Sequence, residues 1–168
     1  MAVKLRTMMA KLTIICGSPR ENGKSLEFAN ELFEETINNN PESEVSLISI
    51  ADMEICGCNG CDGCKKSFEC VIDDDMQDVL ECIKESDEVT IVSPIYMAGV
   101  PSQLKAVLDR FQPMFWEGVR HECKKKTATV HLFGEGHDPY GADGAVLTIK
   151  SALHVAGFEV KDVELHIS

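Results

Sequence analysis

The stretch from Lys11 to Ser25, KLTIICGSPRENGKS, decides the fold of this chain. Its first six residues form a short apolar run that ends at Gly17, which is typical of a buried β-strand. From Lys24 onward, apolar residues recur at helical spacing, so a helix follows. The stretch therefore predicts a strand, a tight polar loop and a helix in succession, and this is the unit from which parallel sheets are built.

The same alternation of strand and helix continues along the whole sequence. Short apolar or alternating runs are the predicted strands: Lys11–Cys16, Val45–Ile50, Glu88–Ser93, Thr127–Phe133 and Phe158–Ile167. Amphipathic segments between them are the predicted helices: Lys24–Asn38, a helix after Asp73–Asp75 that carries Met76 to Ile83, a helix that opens at Pro101, and Ala142–Ala156. The last strand changes phase near Lys161–Asp162, which predicts an edge strand with a β-bulge. We expect one α/β domain over residues 1–168, with helices on both faces of a parallel sheet.

Sheets of this kind bind their ligands beyond the carboxyl ends of the strands. The predicted loops at that edge are residues 17–25, 94–100 and 134–141. A cysteine-rich loop at residues 55–72 leaves the second strand at the same edge. We therefore expect the active site to form where these loops meet.

The first loop predicts a phosphate site. Backbone N–H groups at the helix start, the hydroxyls of Ser18 and Ser25, and the charges of Arg20 and Lys24 form a cradle for an anion. The loop differs from the nucleoside-triphosphate motif G-x-x-x-x-G-K-[ST], because Ser18 replaces its first glycine and no strand ends in a magnesium-binding aspartate. The absence of G-x-G-x-x-G disfavours a dinucleotide site there. A plain capped turn remains an alternative.

The cysteine loop has the sequence ICGCNGCDGCKKSFEC from Ile55 to Cys70. In a chain of this size, eight cysteines indicate metal or redox chemistry rather than a disulfide framework. Three thiols on one tight loop with a fourth close by favour an iron–sulfur cluster over zinc, which usually binds between two separated knuckles. The candidate cluster ligands are Cys58, Cys61, Cys64 and Cys70. Zinc, a regulatory disulfide and a metal-free loop stay open, and Cys56 is an extra thiol.

The overall composition narrows the class of protein. The net charge of −12 argues against a nucleic-acid or anionic-membrane surface. No apolar run approaches the ~20 residues that a membrane helix needs, and the N-terminus lacks a signal-peptide pattern. We therefore expect a cytoplasmic protein that binds neither membranes nor nucleic acid.

Two segments carry a resemblance to a known family. GSPRENGKS, residues 17–25, resembles the flavin-phosphate loop of the flavodoxin-like NADPH-dependent FMN reductase family, with Lys24 in place of the usual asparagine. SPIYMAGVPSQLKAVLDR, from Ser93 to Arg110, resembles the segment of that family that lies along the flavin ring. KKKTATVHLFGEG fits the strand and loop that follow, and the cysteine spacing is similar to that of the iron–sulfur flavoproteins, a branch of the same family.

The resemblance implies a flavodoxin-like three-layer doubly wound sandwich with the strand order 2-1-3-4-5. It implies that FMN is the cofactor, and that the first loop holds its phosphate through Ser18, Arg20, Asn22, Gly23, Lys24 and Ser25. It places the flavin ring against the other two loops, at Pro94, Ile95, Tyr96, Met97, Gly99, Gly134, Glu135 and Gly136. Electrons would come from NAD(P)H or a ferredoxin, a [4Fe-4S] cluster would occupy the cysteine loop, and no side chain is expected to act as a catalytic acid or nucleophile.

Other functions stay open at this point. The main alternative is a cluster-free NAD(P)H-dependent FMN, quinone or nitro/azo reductase, followed by a flavodoxin-like carrier. We expect a homodimer or homotetramer, because loops on one edge leave a flavin ring exposed on one side. Lys105, Asp109 and Arg110 are expected to form a surface ion network or a subunit contact.

Overall fold

The structure is a computed structural model that describes residues 9–121 and 126–168. Its strands are β1 (Lys11–Cys16), β2 (Glu44–Ser49), β3 (Glu88–Pro94), β4 (Lys126–Gly134) and β5 (Phe158–Ile167). Its helices are α1 (Lys24–Asn39), α2 (Cys64–Ser67), α3 (Met76–Glu85), α4 (Ser102–Asp109), α5 (Gln112–Glu117) and α6 (Asp143–Val155), with 3₁₀ turns at Ile50–Asp52 and Val119–His121. Cys123 lies outside the described residues.

The strands form one parallel sheet in the order β2-β1-β3-β4-β5. This confirms the predicted fold class and strand order. The register of β5 against β4 shifts between Ala128 and Thr129, where Val160 and then Asp162 are the partners. The phase change in the sequence is therefore a β-bulge at Lys161, as predicted.

Two hydrophobic layers cover the faces of the sheet. Ile14 and Ile15 are both buried although they are adjacent, because neighbouring side chains of a strand point to opposite faces. Ile15 belongs to the larger layer, which includes residues of α3, α4 and α6. Ile14 belongs to the smaller layer with Ala29 of α1. Each buried aliphatic side chain of this size contributes about 1.5–3 kcal/mol to folding, so the two layers hold the loops at a fixed edge.

Two short helices were not predicted, and both position the candidate site. The helix that opens after Pro101 ends at Asp109, and α5 begins at Gln112 with Pro113 in its first turn. Proline has no N–H for a continuing helix but suits a first turn, so the chain breaks and restarts there. The other short helix, α2, lies inside the cysteine loop and packs against α5. Among the described residues, none of the helices has the length and apolar composition that a membrane span requires.

Candidate functional site

The first loop is held tightly where it leaves β1. The N–H of Gly17 donates to the carbonyl of Val92 at 2.7 Å. A Cβ at Gly17 would lie 2.6 Å from Leu104 Cδ2, so the loop backbone touches α4 at a point that only glycine permits. This contact sets the position from which residues 18–25 extend.

The start of α1 presents unsatisfied N–H groups to this loop. No side chain caps the helix, whose N-cap residue Gly23 has φ 154° and ψ 164°, a conformation that is essentially restricted to glycine. Ser18 and Ser25 are buried beside it, whereas Arg20 and Lys24 are exposed. An uncapped helix of 16 residues with two hydroxyls and two cations around its first turn is a suitable phosphate site.

The second loop contains a strained two-residue turn. The backbones of Tyr96 and Gly99 exchange two hydrogen bonds of 2.9 Å, and between them Met97 and Ala98 have φ angles of +50° and +57°. Positive φ at both central residues is the pattern of a type I′ turn, which glycine and asparagine usually occupy. The Met97 side chain is 95% exposed. The turn thus presents a thioether and an aromatic ring to solvent from a fixed backbone.

The second and third loops are in contact. The N–H of Ile95 donates to the carbonyl of Phe133 at 2.7 Å, which extends the sheet pairing beyond β3. A Cβ at Gly134 would lie 3.0 Å from Ile95 Cδ1, and one at Gly136 would lie 3.0 Å from Ile167 Cγ2. The structure therefore brings residues 94–99 and 134–136 together at the carboxyl edge, beside the loop that follows β1.

The cysteine loop encloses a second site. Four of the seven described cysteines line one cavity of about 320 Å³: Cys58, Cys61, Cys64 and Cys70. Cys56 is exposed and does not line it. The opposite wall comes from the end of α4 and from α5, through Arg110, Gln112, Pro113 and Trp116. The four thiols chosen by spacing thus share a cavity that is large enough for more than one metal ion.

The cavity and the first three loops are separate parts of this chain. Among the described residues that line the cavity, none belongs to residues 17–25, 94–99 or 134–136. The structure brings the proposed FMN residues to the sheet edge and the proposed metal ligands against α4 and α5.

Arg110 corrects the expectation from the sequence. It is only 1% exposed and does not belong to the surface ion pair, which Lys105 forms with Asp109 at 2.6 Å. One amino group, Nη1, lies 2.7 Å from Asp74 Oδ1 and donates to the Cys56 carbonyl, while Nη2 lies 3.3 Å from Cys70 Sγ. The side chain turns inward because its fork matches this set of acceptors.

Asp74 organises the same loop from the other side. Its carboxylate accepts from Arg110 and from the backbone N–H groups of Cys56 and Met76. Burial alone would raise the pKa of this carboxyl, but these hydrogen bonds together lower the pKa below its usual value. Asp74 therefore stays ionised and ties the start of the cysteine loop to the start of α3.

The donor set suits a cluster with thiolate ligands. Burial raises the pKa of the Cys64 thiol, and the neighbouring Cys70, Cys58 and Cys61 raise it further because negative charges close together repel. Arg110 supplies a compensating positive charge to the wall, and its Nε is buried without a hydrogen-bond partner among the described residues. A polynuclear metal centre with acceptor atoms would relieve both features.

No local pattern in the sequence identifies Arg110 or Asp74 as part of the cysteine site. The two residues are 36 positions apart, and Arg110 is 40 positions from Cys70. The sequence places Asp74 just before a helix and predicts a surface ion network or a subunit contact for Arg110. Only the fold brings them to the cysteine loop.

Solved structures with the same fold include an NADH:FMN oxidoreductase and an azoreductase. The apo form of the NADH:FMN oxidoreductase EMOB has a TM-score of 0.64 and 18% identity, with 95% of this chain and 76% of that chain covered. An azoreductase from Bacillus anthracis has a TM-score of 0.67 and 15% identity, with 95% and 86% covered. At such identities the likeness establishes the fold.

Curated relatives are more similar in sequence. An iron-sulfur flavoprotein of Methanosarcina thermophila is 36% identical over 157 residues, which cover 89% of this chain and 76% of the relative. The iron-sulfur flavoprotein MJ1083 of Methanocaldococcus jannaschii is 39% identical over 108 residues, or 62% of this chain. The match spans only 53% of MJ1083 and 44% of a relative from Archaeoglobus fulgidus, about half of their lengths.

The family model described as NADPH-dependent FMN reductase matches residues 10–166, nearly the whole chain. With the relatives above and the observed strand order, the match confirms the resemblance drawn from the two loops and the cysteine spacing. This chain belongs to the NADPH-dependent FMN reductase family.

Proposed function

We propose that this chain is an electron-transfer oxidoreductase that binds FMN at the carboxyl edge of the sheet and a [4Fe-4S] cluster in the cysteine cavity. The observation that carries the proposal is the cavity itself. The four cysteines of the motif line it, the extra Cys56 does not, and a buried arginine closes it. Relatives named iron-sulfur flavoprotein support the same assignment.

In this proposal the first loop holds the FMN phosphate. The backbone N–H groups of the first turn of α1 and the hydroxyls of Ser18 and Ser25 would donate to it, and Gly23 leaves the backbone open for close approach. Arg20, Asn22 and Lys24 would close the exposed side. A cradle of direct donors can hold a dianion in a chain of net charge −12, because its contacts act at short range and the other charges are partly screened.

The other two loops would hold the flavin ring. Pro94, Ile95 and the turn from Tyr96 to Gly99 form one side, where an aromatic ring and a thioether provide dispersion contacts. Gly134, Glu135 and Gly136 form the border beside Ile95. Bound FMN supplies two-electron and one-electron transfer, and the cluster supplies one-electron transfer. The protein's part is to position both groups and set their charge environment, without an acid or a nucleophile.

Charges near the cysteine cavity would tune the cluster. The acidic residues Asp62, Glu69 and Asp73 are all exposed around the loop and would lower its reduction potential. Arg110 acts in the opposite direction, since it lines the cavity and its Nη2 lies 3.3 Å from Cys70 Sγ. The proposed electron donor is NAD(P)H or a ferredoxin, and the acceptor is a small molecule. We also propose a cytoplasmic homodimer or homotetramer, in which a neighbouring subunit covers the flavin ring.

Anaerobic purification tests the proposal. We expect flavin absorption, a broad shoulder near ~400 nm that bleaches with dithionite, and about four iron and four sulfide per chain. Cys61→Ser should lose most of the iron and keep FMN, because Cys61 lines the cavity and lies outside the flavin loops. Cys56→Ser is the matched control and should keep both.

The possible results separate the candidate functions. A flavin spectrum without iron or acid-labile sulfide in the wild-type protein would refute the cluster and leave the cluster-free NAD(P)H-dependent FMN, quinone or nitro/azo reductase. A protein that takes up no FMN would refute the flavin assignment, and with it both the cluster-containing and the cluster-free candidate functions. Loss of iron in Cys56→Ser but not in Cys61→Ser would show that the cavity is not the cluster site.

A further inference from the structure

A second group of side chains of the types that bind metal ions lies on the other face of the sheet, away from the cysteine cavity. His131 on β4 and Glu164 on β5 are paired in register, and His166 follows two residues later on the same face. Their ligand atoms all lie within 4.8 Å of one another. This face is next to α1, whose Phe28 ring is 4.7 Å from His131 and 5.1 Å from His166.

The separations within the group match a coordination sphere. His131 Nδ1 is 3.2 Å from His166 Nε2 and 3.5 Å from Glu164 Oε2. A tetrahedral ion with metal–nitrogen and metal–oxygen distances of about 2.1 Å holds neighbouring ligand atoms about 3.4 Å apart. Two of the three separations thus match such an ion, and the third lies within 4.8 Å.

The protonation of the group also favours an ion. His131 Nδ1 faces both a second imidazole nitrogen and a carboxylate, and it has at most one proton to share between them. A cation would satisfy all three groups together.

The ligands are held by rigid surroundings. The His166 ring is stacked on Phe133 with centroids 4.3 Å apart and an angle of 8° between the planes. His131 is buried at 7% exposure, and both strands are locked into the ladder of the sheet. Glu164 is exposed, so an ion could enter from solvent and keep a water ligand.

We propose that His131, Glu164 and His166 form a binding site for a divalent transition-metal ion of the zinc type, which fastens the edge strand β5 to β4. Two nitrogen ligands and one carboxylate suit Zn²⁺ and its neighbours better than Mg²⁺ or Ca²⁺, which prefer oxygen ligands. The site differs from the cysteine cavity in its ligands and in the face of the sheet. It does not depend on the proposed FMN and cluster sites.

Calorimetric titration with Zn²⁺ tests this site in the full chain, after the accessible thiols have been blocked with iodoacetamide. We expect one equivalent of bound zinc and a higher melting temperature. His166→Gln should weaken binding by roughly tenfold or more, since loss of a direct ligand costs at least as much as loss of its supporting partner. Glu164→Gln provides a second variant at an exposed position, where folding is not at risk.

His154→Gln is the matched control, because His154 is an exposed histidine on α6. It should bind zinc as the wild-type chain does. Absence of a bound equivalent in the blocked wild-type chain would overturn the proposal. So would equal affinity in the wild-type, His166→Gln and Glu164→Gln chains, or an equal loss in His154→Gln.

Discussion

At the scale of single residues, Arg110 is the side chain with the largest expected effect on the cysteine loop. Its guanidinium is buried against Asp74, Cys70 and the carbonyls of Cys56 and Ile72. A buried ion pair adds little net stability, yet removal of one partner is costly because the other charge stays buried and unpaired. The same side chain also neutralises negative charge beside the thiols.

Arg110→Gln should therefore lower the free energy of unfolding by about 3–5 kcal/mol, measured by urea denaturation. Arg110→Lys should lose less, because it keeps the charge beside Asp74 but not the second amino group, which contacts Cys70 Sγ and the Ile72 carbonyl. Lys105→Gln is the control, since its ion pair with Asp109 is exposed and contributes about 0.5 kcal/mol or less. Equal losses in Arg110→Gln and Lys105→Gln would contradict the buried role of Arg110.

The contrast between the cysteines and Arg110 shows what sequence can reveal at this scale. The four candidate ligands lie within thirteen positions of each other, so their spacing alone predicted a common site. Arg110 acts through partners that are 36 and 40 positions away. Contacts between positions so far apart cannot be predicted from a single sequence. The sequence around an arginine at the end of a helix does not distinguish an exposed side chain from a buried one.

At the scale of elements, strands and helices followed from hydrophobic periodicity, because the core imposes it on both faces of a parallel sheet. The turn from Tyr96 to Gly99 could not be predicted from this periodicity. Met97 and Ala98 adopt left-handed φ angles that cost about 1–2 kcal/mol each. Such a turn is predicted from glycine or asparagine at these positions, and neither residue is present. Surrounding contacts must compensate for the conformational cost of these two φ angles.

One of those contacts comes from α6. The Ala145 N–H donates to the Ala98 carbonyl at 2.8 Å, and a Cβ at Gly144 would lie 2.7 Å from the same oxygen. In a helix, alanine is normally more favourable than glycine by about 1 kcal/mol. At position 144, however, the added Cβ would clash with the backbone carbonyl of Ala98, which cannot rotate away as a side chain could. Gly144→Ala should displace the turn, destabilise the protein by about 1–3 kcal/mol and weaken FMN binding.

Fluorescence titration of FMN and urea denaturation measure the two effects of Gly144→Ala. Ser151→Ala is the control, because Ser151 is exposed on the same helix and far from the turn in sequence. The proposed role of the turn would be wrong if Gly144→Ala bound FMN as tightly as Ser151→Ala did.

At the scale of the whole molecule, the three most exposed large apolar side chains among the described residues lie on the second loop, on the third loop and on α6. Met97, Tyr140 and Leu147 are 95%, 77% and 72% exposed, and the first of them lies on the turn that contacts α6. A molecule that covers such side chains removes their apolar area from water, which favours association. A second copy of the chain placed there would also cover the flavin ring, which the loops of one copy leave open.

We therefore expect the FMN-loaded protein to be an oligomer in light scattering. Each copy carries a net charge of −12, so the subunits repel one another and salt should strengthen the association as it screens that repulsion. The double variant Met97→Gln and Leu147→Gln should shift the protein toward the monomer, because it removes apolar area without a change of charge. Met9→Gln alters an exposed methionine outside these segments and should leave the oligomer intact. A holoprotein that stays monomeric at low and high salt would refute the interface, and with it the expectation that a neighbouring subunit completes the flavin site.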